Sequence, residues 1–439
     1  MDELEIKLVL TLRVPKTELT LNGVLRGLAE LKNIIMSTLT QATLDALETM
    51  FIAECQAREP GRYVRHGRQG RARKFITSFG PVCYRLAQMK ERTTGRVFSP
   101  LIEGLKAVPY RRYQGESLEG AIGQAIHLSY RLASRETLRL CGFAPSKTTL
   151  HRRLQELAQS EAHWPSFRAR PFKFLMVDGT VVKLQGNRGE NAGEAEMRWA
   201  MASEGERQPF EPVGFWVGKD WATIGQDLRE RLNYEDLEVL FCDGEAGIEE
   251  NLLAEGMRVQ RCVWHGKRDF SILLYHDGWK KSEQQPLVER LEAIPLFYLT
   301  REVLEKVLPP EKEVIVGLVE EIKAGFRKLF EALDPEKYPK ARTYLENFYH
   351  QALLVFEYWL EGKGWIPLTT NVIESALSRV VNRIKRVGKR WSEKGLINWL
   401  MIALRKIFKP ETWEMLWAQY LKIHRQIELK SVEASYAWI

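Results

Sequence analysis

The chain has 439 residues, enough for two or three domains, with 45% hydrophobic and 28% charged residues, the balance of a water-soluble globular protein. Its formal charge of +8 favours a polyanionic partner, and its five scattered cysteines argue for a reducing compartment without a disulfide framework. With no apolar run of membrane-spanning length and no basic-then-apolar start, a cytoplasmic, nucleoid-associated protein is expected, and secreted or membrane-embedded classes are excluded.

Residues 1–57 read as an N-terminal, mainly helical region. A short strand-like segment, Ile6 to Val14, precedes an amphipathic helix carrying Leu25, Leu28, Leu31, Ile34, Ile35 and Leu39 near helical spacing, and helix continues over Thr43 to Ala57. An oligomerising or packing helix is the expectation. Residues 58–116 read as a basic arm with a small β module. Arg65, Arg68, Arg71 and Arg73 stand among glycines that break a helix, which makes a loop or β-ribbon able to touch a nucleic-acid backbone. A solvated surface loop is the competing reading. From Phe75 to Leu101 the pattern is that of hairpins.

Residues 117–158 carry a helix-turn-helix pattern: Leu118 to Leu128, Ser134 to Leu140, and a third helix after Pro145 with Ser146 as N-cap. Leu150, Leu154 and Leu157 face inward. That leaves Lys147, Thr148, His151, Arg152 and Gln155 as the side chains a recognition helix offers to a major groove. Any three-helix connector would show the same apolar spacing. Residues 159–172 read as a linker.

An α/β core opens at Lys173, and its first part spans 173–269. Lys173 to Lys183 is a β-branched, apolar run with Asp178 at its middle. A carboxylate there needs a cation, unless Asp178-Gly179 is a hairpin turn. Met197 to Ser203 and Pro212 to Val217 follow as strands, then a helix over Trp221 to Leu232. A strand over Leu237 to Cys242 ends on Asp243, the place where α/β sheets hold ligands. Ile248 to Glu255 is the next helix and Val259 to Val263 the last strand. Residues 270–365, rich in helix formers and in aromatics such as Phe270, Phe326, Phe348 and Phe356, read as a helical insertion, because a loop of that length is foreign to a compact domain. Residues 366–439 complete the core and add C-terminal helices. Glu374 lies at the start of a basic helix. Ile373, Leu377, Val380 and Ile384 form its buried stripe, and Ser378, Arg379, Arg383, Lys385 and Arg386 lie on or beside the face of Glu374. Asn371 and Glu374 also have the spacing of a capping box. Trp391, Trp399 and Trp413 have stacking capacity for an unpaired base, with core packing the plainer account.

Three carboxylates, Asp178, Asp243 and Glu374, from two strands and a helix offer hard oxygen ligands for two Mg²⁺ or Mn²⁺ ions per site. The segments Val177-Asp-Gly-Thr180, Cys242-Asp-Gly-Glu245, Arg261-Cys-Val-Trp-His265 and Thr370-Asn-Val-Ile-Glu-Ser375 resemble the Asp-Asp-Glu transposases, above all the Mutator type with its bacterial and archaeal insertion-sequence relatives. The resemblance runs from Lys173 to about Phe408. It implies a ribonuclease-H-like (retroviral-integrase-like) catalytic core interrupted by helices. It implies a metal site at the three acids, and His265 beside it as a residue that orients the scissile phosphate or supports Asp243. The Cys262-x-x-His265 spacing alone also allows a satisfied core histidine, and zinc lacks a second Cys/His pair. Glu245, Asp269, Asp220 and Asp227 are alternative acids. The expected function is a DNA transposase that cuts transposon ends and joins them to target DNA, working as a homodimer or larger assembly on double-stranded DNA. A DNA-binding protein without cleavage, or a metal-dependent nuclease, are the alternatives.

Overall fold

The structure, a computed structural model, describes residues 6, 9–12, 20–107, 113, 115–159, 166–186, 191–299, 311–387 and 390–421. The chain divides into two compact units, residues 1–157 with 409–439, and residues 158–408.

In the first unit, Thr20 caps α1 (Leu21–Arg58), a helix of 38 residues that unites the two expected segments. Ile6 and residues 9–12 carry no strand, and the remainder of that expected strand lies outside the described residues. Of the expected loop or β-ribbon, the glycine-punctuated basic stretch is largely strand, with Gly70 and Arg71 in the bend between β1 and β2. β1 (Tyr63–Arg68) pairs antiparallel with β4 (Ala87–Glu91), which pairs in turn with β5 (Val97–Phe98). β2 (Arg73–Thr77) and β3 (Gly80–Tyr84) form a separate hairpin. After the short α2 (Pro100–Gly104) come α3 (Gly115–His127), α4 (Tyr130–Cys141) and α5 (Lys147–Gln159). Ser129 caps α4, Gly142 ends it in the left-handed region at φ 69°, and Ser146 accepts the Thr149 N–H at 3.3 Å to start α5. Leu150, Leu154 and Leu157 are buried as their spacing requires.

The second unit is built on a five-stranded mixed sheet. β6 (Phe174–Gln185), β7 (Asn191–Ser203) and β8 (Glu211–Val217) form an antiparallel meander, and β9 (Val239–Cys242) and β10 (Arg258–Arg261) continue the other edge in parallel, in the order β10-β9-β6-β7-β8. α6 (Trp221–Arg231) and the short α7 (Ile248–Leu252) connect the parallel strands. Their Trp221, Ile224, Leu228, Ile248 and Leu252 close over Leu175, Val177 and Leu240 of the sheet. The expected linker is not free of this core: Phe167 and Phe172 are buried in it, and Phe167 N–H donates to Arg231 C=O.

Two boundaries differ from expectation. β6 runs unbroken through Asp178-Gly179, so the hairpin turn is excluded. β10 ends at Arg261, and Val263 already begins α8 (Val263–His276), which puts His265 on a helix. The insertion is helical throughout its described residues: α8, α9 (Lys281–Glu292), α10 (Lys312–Ala332), α11 (Pro339–Ala352) and α12 (Leu354–Leu360) pack around buried Phe270, Phe326, Phe348 and Phe356. α13 (Asn371–Val381) then continues as a π-helical turn over Asn382–Val387, and α14 (Glu393–Phe408) closes the unit. α15 (Pro410–Leu421) belongs to the first unit.

Candidate active site

The site is laid out by strand register. β6 and β9 are parallel, with Leu175 beside Leu240 and Met176 beside Phe241. That pairing ends two residues before Asp178, and Asp243 follows the last residue of β9. The two acids therefore lie toward the same end of neighbouring strands. Asp178 is 8% exposed, and its Oδ1 accepts the Gly179 N–H at 2.7 Å. Burial pushes its carboxyl up to about 7. Repulsion from Asp243 and Glu374 adds to the rise, while the Gly179 N–H and the Arg268 guanidinium oppose it. Asp243 Oδ1 accepts the Glu245 N–H at 2.9 Å, which closes a tight turn over Gly244 at φ +88°.

Glu374 enters from the first turn of α13, where the helix dipole favours a carboxylate. The capping box is not formed. Thr370, not Asn371, is the N-cap, and the Glu374 carboxylate accepts the Thr370 hydroxyl at 3.4 Å. Thr370 Oγ1 also lies 3.5 Å from His265 Nδ1, and His265 Nε2 lies 3.9 Å from Glu374 Oε1. Burial and the Arg268 cation push His265 below its ordinary value, against the opposing pull of Asp243 and Glu374. The first turn of α8 is stitched to this loop: Val263 N–H donates to Leu368 C=O, and Thr370 N–H donates to Cys262 Sγ at 3.3 Å. Cys262 is thereby used as a buried acceptor, its thiol raised by burial. Thr370 lies in a segment singled out in the sequence, but its contact with His265, 105 positions earlier, had no signal there, and neither did Arg268.

The alternative acids have other work. Asp220 caps α6 through Thr223 N–H, and Asp227 accepts Trp216 Nε1 at 2.8 Å. Glu245 pairs with Arg198 at 2.5 Å and Asp269 with Arg268 at 2.7 Å. Asp178, Asp243 and Glu374 therefore form one electrostatic set of hard oxygen donors. The like charges pressing on a buried Asp178 are what a divalent cation relieves, so the chemistry of the donors fits Mg²⁺ or Mn²⁺. Their spacing is wider than a ligand shell: among the described residues, no three His, Cys, Asp or Glu stand close enough to hold a metal ion.

The expected nucleic-acid contacts divide. Lys147, Thr148, His151 and Arg152 are exposed on α5, with the His151 ring edge-on to Tyr130 and Arg152 3.9 Å from Glu156. Arg65 and Arg71 are exposed. Arg68 departs from a free backbone contact. It pairs with the buried Glu48 at 3.2 Å and donates to Arg85 C=O. Arg73 is half-buried against the Phe75 ring. On the helix after Glu374, Arg379 and Arg386 are exposed, but Arg383 is 4% exposed, 4.5 Å from the Trp391 ring centre and 5.8 Å from that of Trp399. Arg383 and Ile384 are both buried within the π-helical turn. Trp391, Trp399 and Trp413 are buried and pack the core.

No protein-family model matches the chain, and no curated protein matches it. Among solved structures it is similar to a strand transfer complex of the Drosophila P element transposase, at 12% identity and a TM-score of 0.27, over 73% of this chain and 94% of that one. A likeness at that score decides neither fold nor activity.

Proposed function

We propose that the chain is a metal-dependent DNA transposase of the Asp-Asp-Glu type, with a ribonuclease-H-like core in residues 158–408. The observation that supports this reading is electrostatic: Asp243, from the end of the neighbouring strand β9, and Glu374, from a helix start, both act on the buried Asp178 carboxyl. The strand order, an antiparallel meander extended by two parallel strands, supports the fold reading. Bound divalent ions would supply Lewis-acid activation of water or a 3′-hydroxyl and stabilise the leaving oxygen of a phosphodiester. The chain's own part is placement. Asp178 and Asp243 present carboxylate oxygens toward the same end of neighbouring strands. Glu374 comes in from α13, where its carboxylate accepts the Thr370 hydroxyl and His265 lies 3.9 Å away. Exposed Arg379 and Arg386, on the same helix, are suited to the flanking phosphates.

The first unit is read as the DNA-binding part. α4 and α5 would act as a helix-turn-helix that presents Lys147, Thr148, His151 and Arg152 to the major groove, with Arg65 and Arg71 on the backbone. Joining two ends needs two active sites. A dimer or larger assembly on DNA is supported by the exposed Leu21, Leu25, Leu28 and Ile34 of α1.

The test is incubation of the full chain with the DNA that flanks its own coding region and Mg²⁺ or Mn²⁺. Cleaved ends and strand-transfer products are expected. Asp178→Asn, Asp243→Asn and Glu374→Gln should each abolish them and leave duplex binding intact; cleavage by these variants at the wild-type rate would sink the assignment. A second reading, a DNA-binding protein without cleavage, is favoured by the wide spacing of the acids. Duplex binding with no product under any divalent ion would select it.

A further inference from the structure

The turn that carries Asp243 is gripped from two sides by arginines that come from other strands. Arg198, on β7, has a side chain 11% exposed. Its guanidinium donates to Glu245 Oε1 at 2.5 Å and pairs with Glu196 and with the Lys219 carbonyl, and it stacks 4.7 Å over the Trp221 ring. Glu245 in turn gives its backbone N–H to Asp243 Oδ1. On the other side, Arg261 at the end of β10 is 5% exposed and fills the space at Gly244. A β-carbon on Gly244 would fall 1.7 Å from the Arg261 guanidinium carbon. Arg261 is itself held 3.8 Å from Glu249 and 5.6 Å over the Tyr344 ring. Two nearly buried cations, each also held by other partners, thus border the three-residue turn in which the Asp243 carboxylate is fixed.

We infer that Arg198 and Arg261 are positioning residues for Asp243, acting through Glu245 and Gly244, and that Glu245 is an anchor and not a metal ligand. The inference rests on the proposed role of Asp243 in holding a divalent ion. Groups that orient metal ligands without touching the metal commonly change affinity or activity by about 10- to 100-fold when removed.

The experiment uses the full chain and Mn²⁺ alone, and it reads two things: the Mn²⁺ concentration that gives half the maximal rise in melting temperature, and the hydrogen exchange of amides 243–247. Arg198→Met and Glu245→Ala should each raise the half-maximal Mn²⁺ concentration about 10- to 100-fold and speed exchange in the turn. The double variant should be no worse than either single, since both remove one linkage. Arg198→Lys, which keeps a cation toward Glu245, should recover part of the affinity. A purely structural role would lower the melting temperature and leave the Mn²⁺ concentration unchanged, and that result would overturn the inference. So would loss of the Mn²⁺ effect in Glu245→Gln while Arg198→Met behaves as wild type, because Glu245 would then be a ligand. If wild type itself shows no Mn²⁺-dependent shift, the metal reading fails, and the exchange data decide the clamp alone: exchange in 243–247 unaltered by Arg198→Met would refute it.

Discussion

Asp178 is the residue whose environment has the clearest thermodynamic consequence. Its carboxyl titrates near 7 in the fold, against an ordinary 3.8. Between those values the folded chain holds a proton that the unfolded chain has released, so this group makes stability fall as pH rises from about 4 to about 7, with the full penalty present above 7. The upper limit of that penalty is about 4 kcal/mol, from the shift taken at 1.4 kcal/mol per pH unit. Asp178→Asn removes the titration. Its melting temperature relative to wild type should rise from pH 4 to pH 7 and level off beyond; a difference that stays flat from pH 4 to 8 would show that Asp178 is not held in this field. At pH 8, Mn²⁺ should recover much of the same stability in wild type and little in the variant. That Asp178 is a charged group in a strand was legible from the apolar run around it. That the three acids belong to one site was an expectation from the sequence; the parallel pairing of β6 with β9 was not legible there, because register is set by packing across the sheet. The Thr370–His265–Glu374 contacts were equally hidden, since no local pattern joins a helix start to a residue about a hundred positions earlier.

At the scale of elements, the helix carrying Glu374 is fixed to the strand carrying Asp178 at its far end. Lys385 Nζ donates to Thr180 Oγ1 at 2.6 Å, Trp391 exchanges backbone hydrogen bonds with Lys183 and Gln185, and Trp391 Nε1 donates to Ile384 C=O. The π turn over Asn382–Val387 lets both Arg383 and Ile384 face this junction. An unbroken helical period of about 3.6 residues puts Ile373, Leu377, Val380 and Ile384 inside, as they are, and sets Arg383 at the edge of that stripe, next to the buried Ala376 and apart from Arg379 and Arg386. A π turn has no signature in composition or spacing, so the burial of Arg383 was not legible in the sequence. The consequence is a separable pair of substitutions. Arg383→Ala should destabilise the fold by about 2–4 kcal/mol, the range for emptying a large buried site. Arg386→Ala should stay within about 0.5 kcal/mol of wild type and weaken duplex binding. Thermal melts and a binding titration on both variants check this. An Arg383→Ala protein that melts like wild type and loses only DNA affinity would contradict the packing assignment.

For the whole molecule, the positive charge has two addresses. In the unit of residues 1–157 and 409–439, Arg65 and Arg71 are exposed while Arg68 is partly neutralised by Glu48. Replacing Arg65 and Arg71 with Ser should therefore weaken binding to every duplex and flatten the salt dependence by about one unit for each phosphate that is no longer neutralised. Arg68→Ser should lower the melting temperature more than the salt slope, and equal slopes for all three would remove the distinction. Assembly is the remaining property of the whole. Leu21, Val24, Leu28, Leu31 and Ile35 follow the alternating three- and four-residue spacing of a helix–helix seam along the first half of α1. Leu21 is 73% and Leu28 49% exposed, flanked by exposed Leu25 and Ile34. Side chains already in water contribute little to the fold of one chain, so charging them tests association and not folding. Leu25→Lys with Leu28→Lys should leave the melting temperature and the far-ultraviolet spectrum of the free chain unchanged at low concentration. Light scattering of the DNA complex should then report one chain on one DNA end in place of two chains on a pair of ends, and paired-end products should disappear while single-end nicking persists. A variant complex with the wild-type mass, or a wild-type chain that joins paired ends as a monomer, would refute assembly through α1.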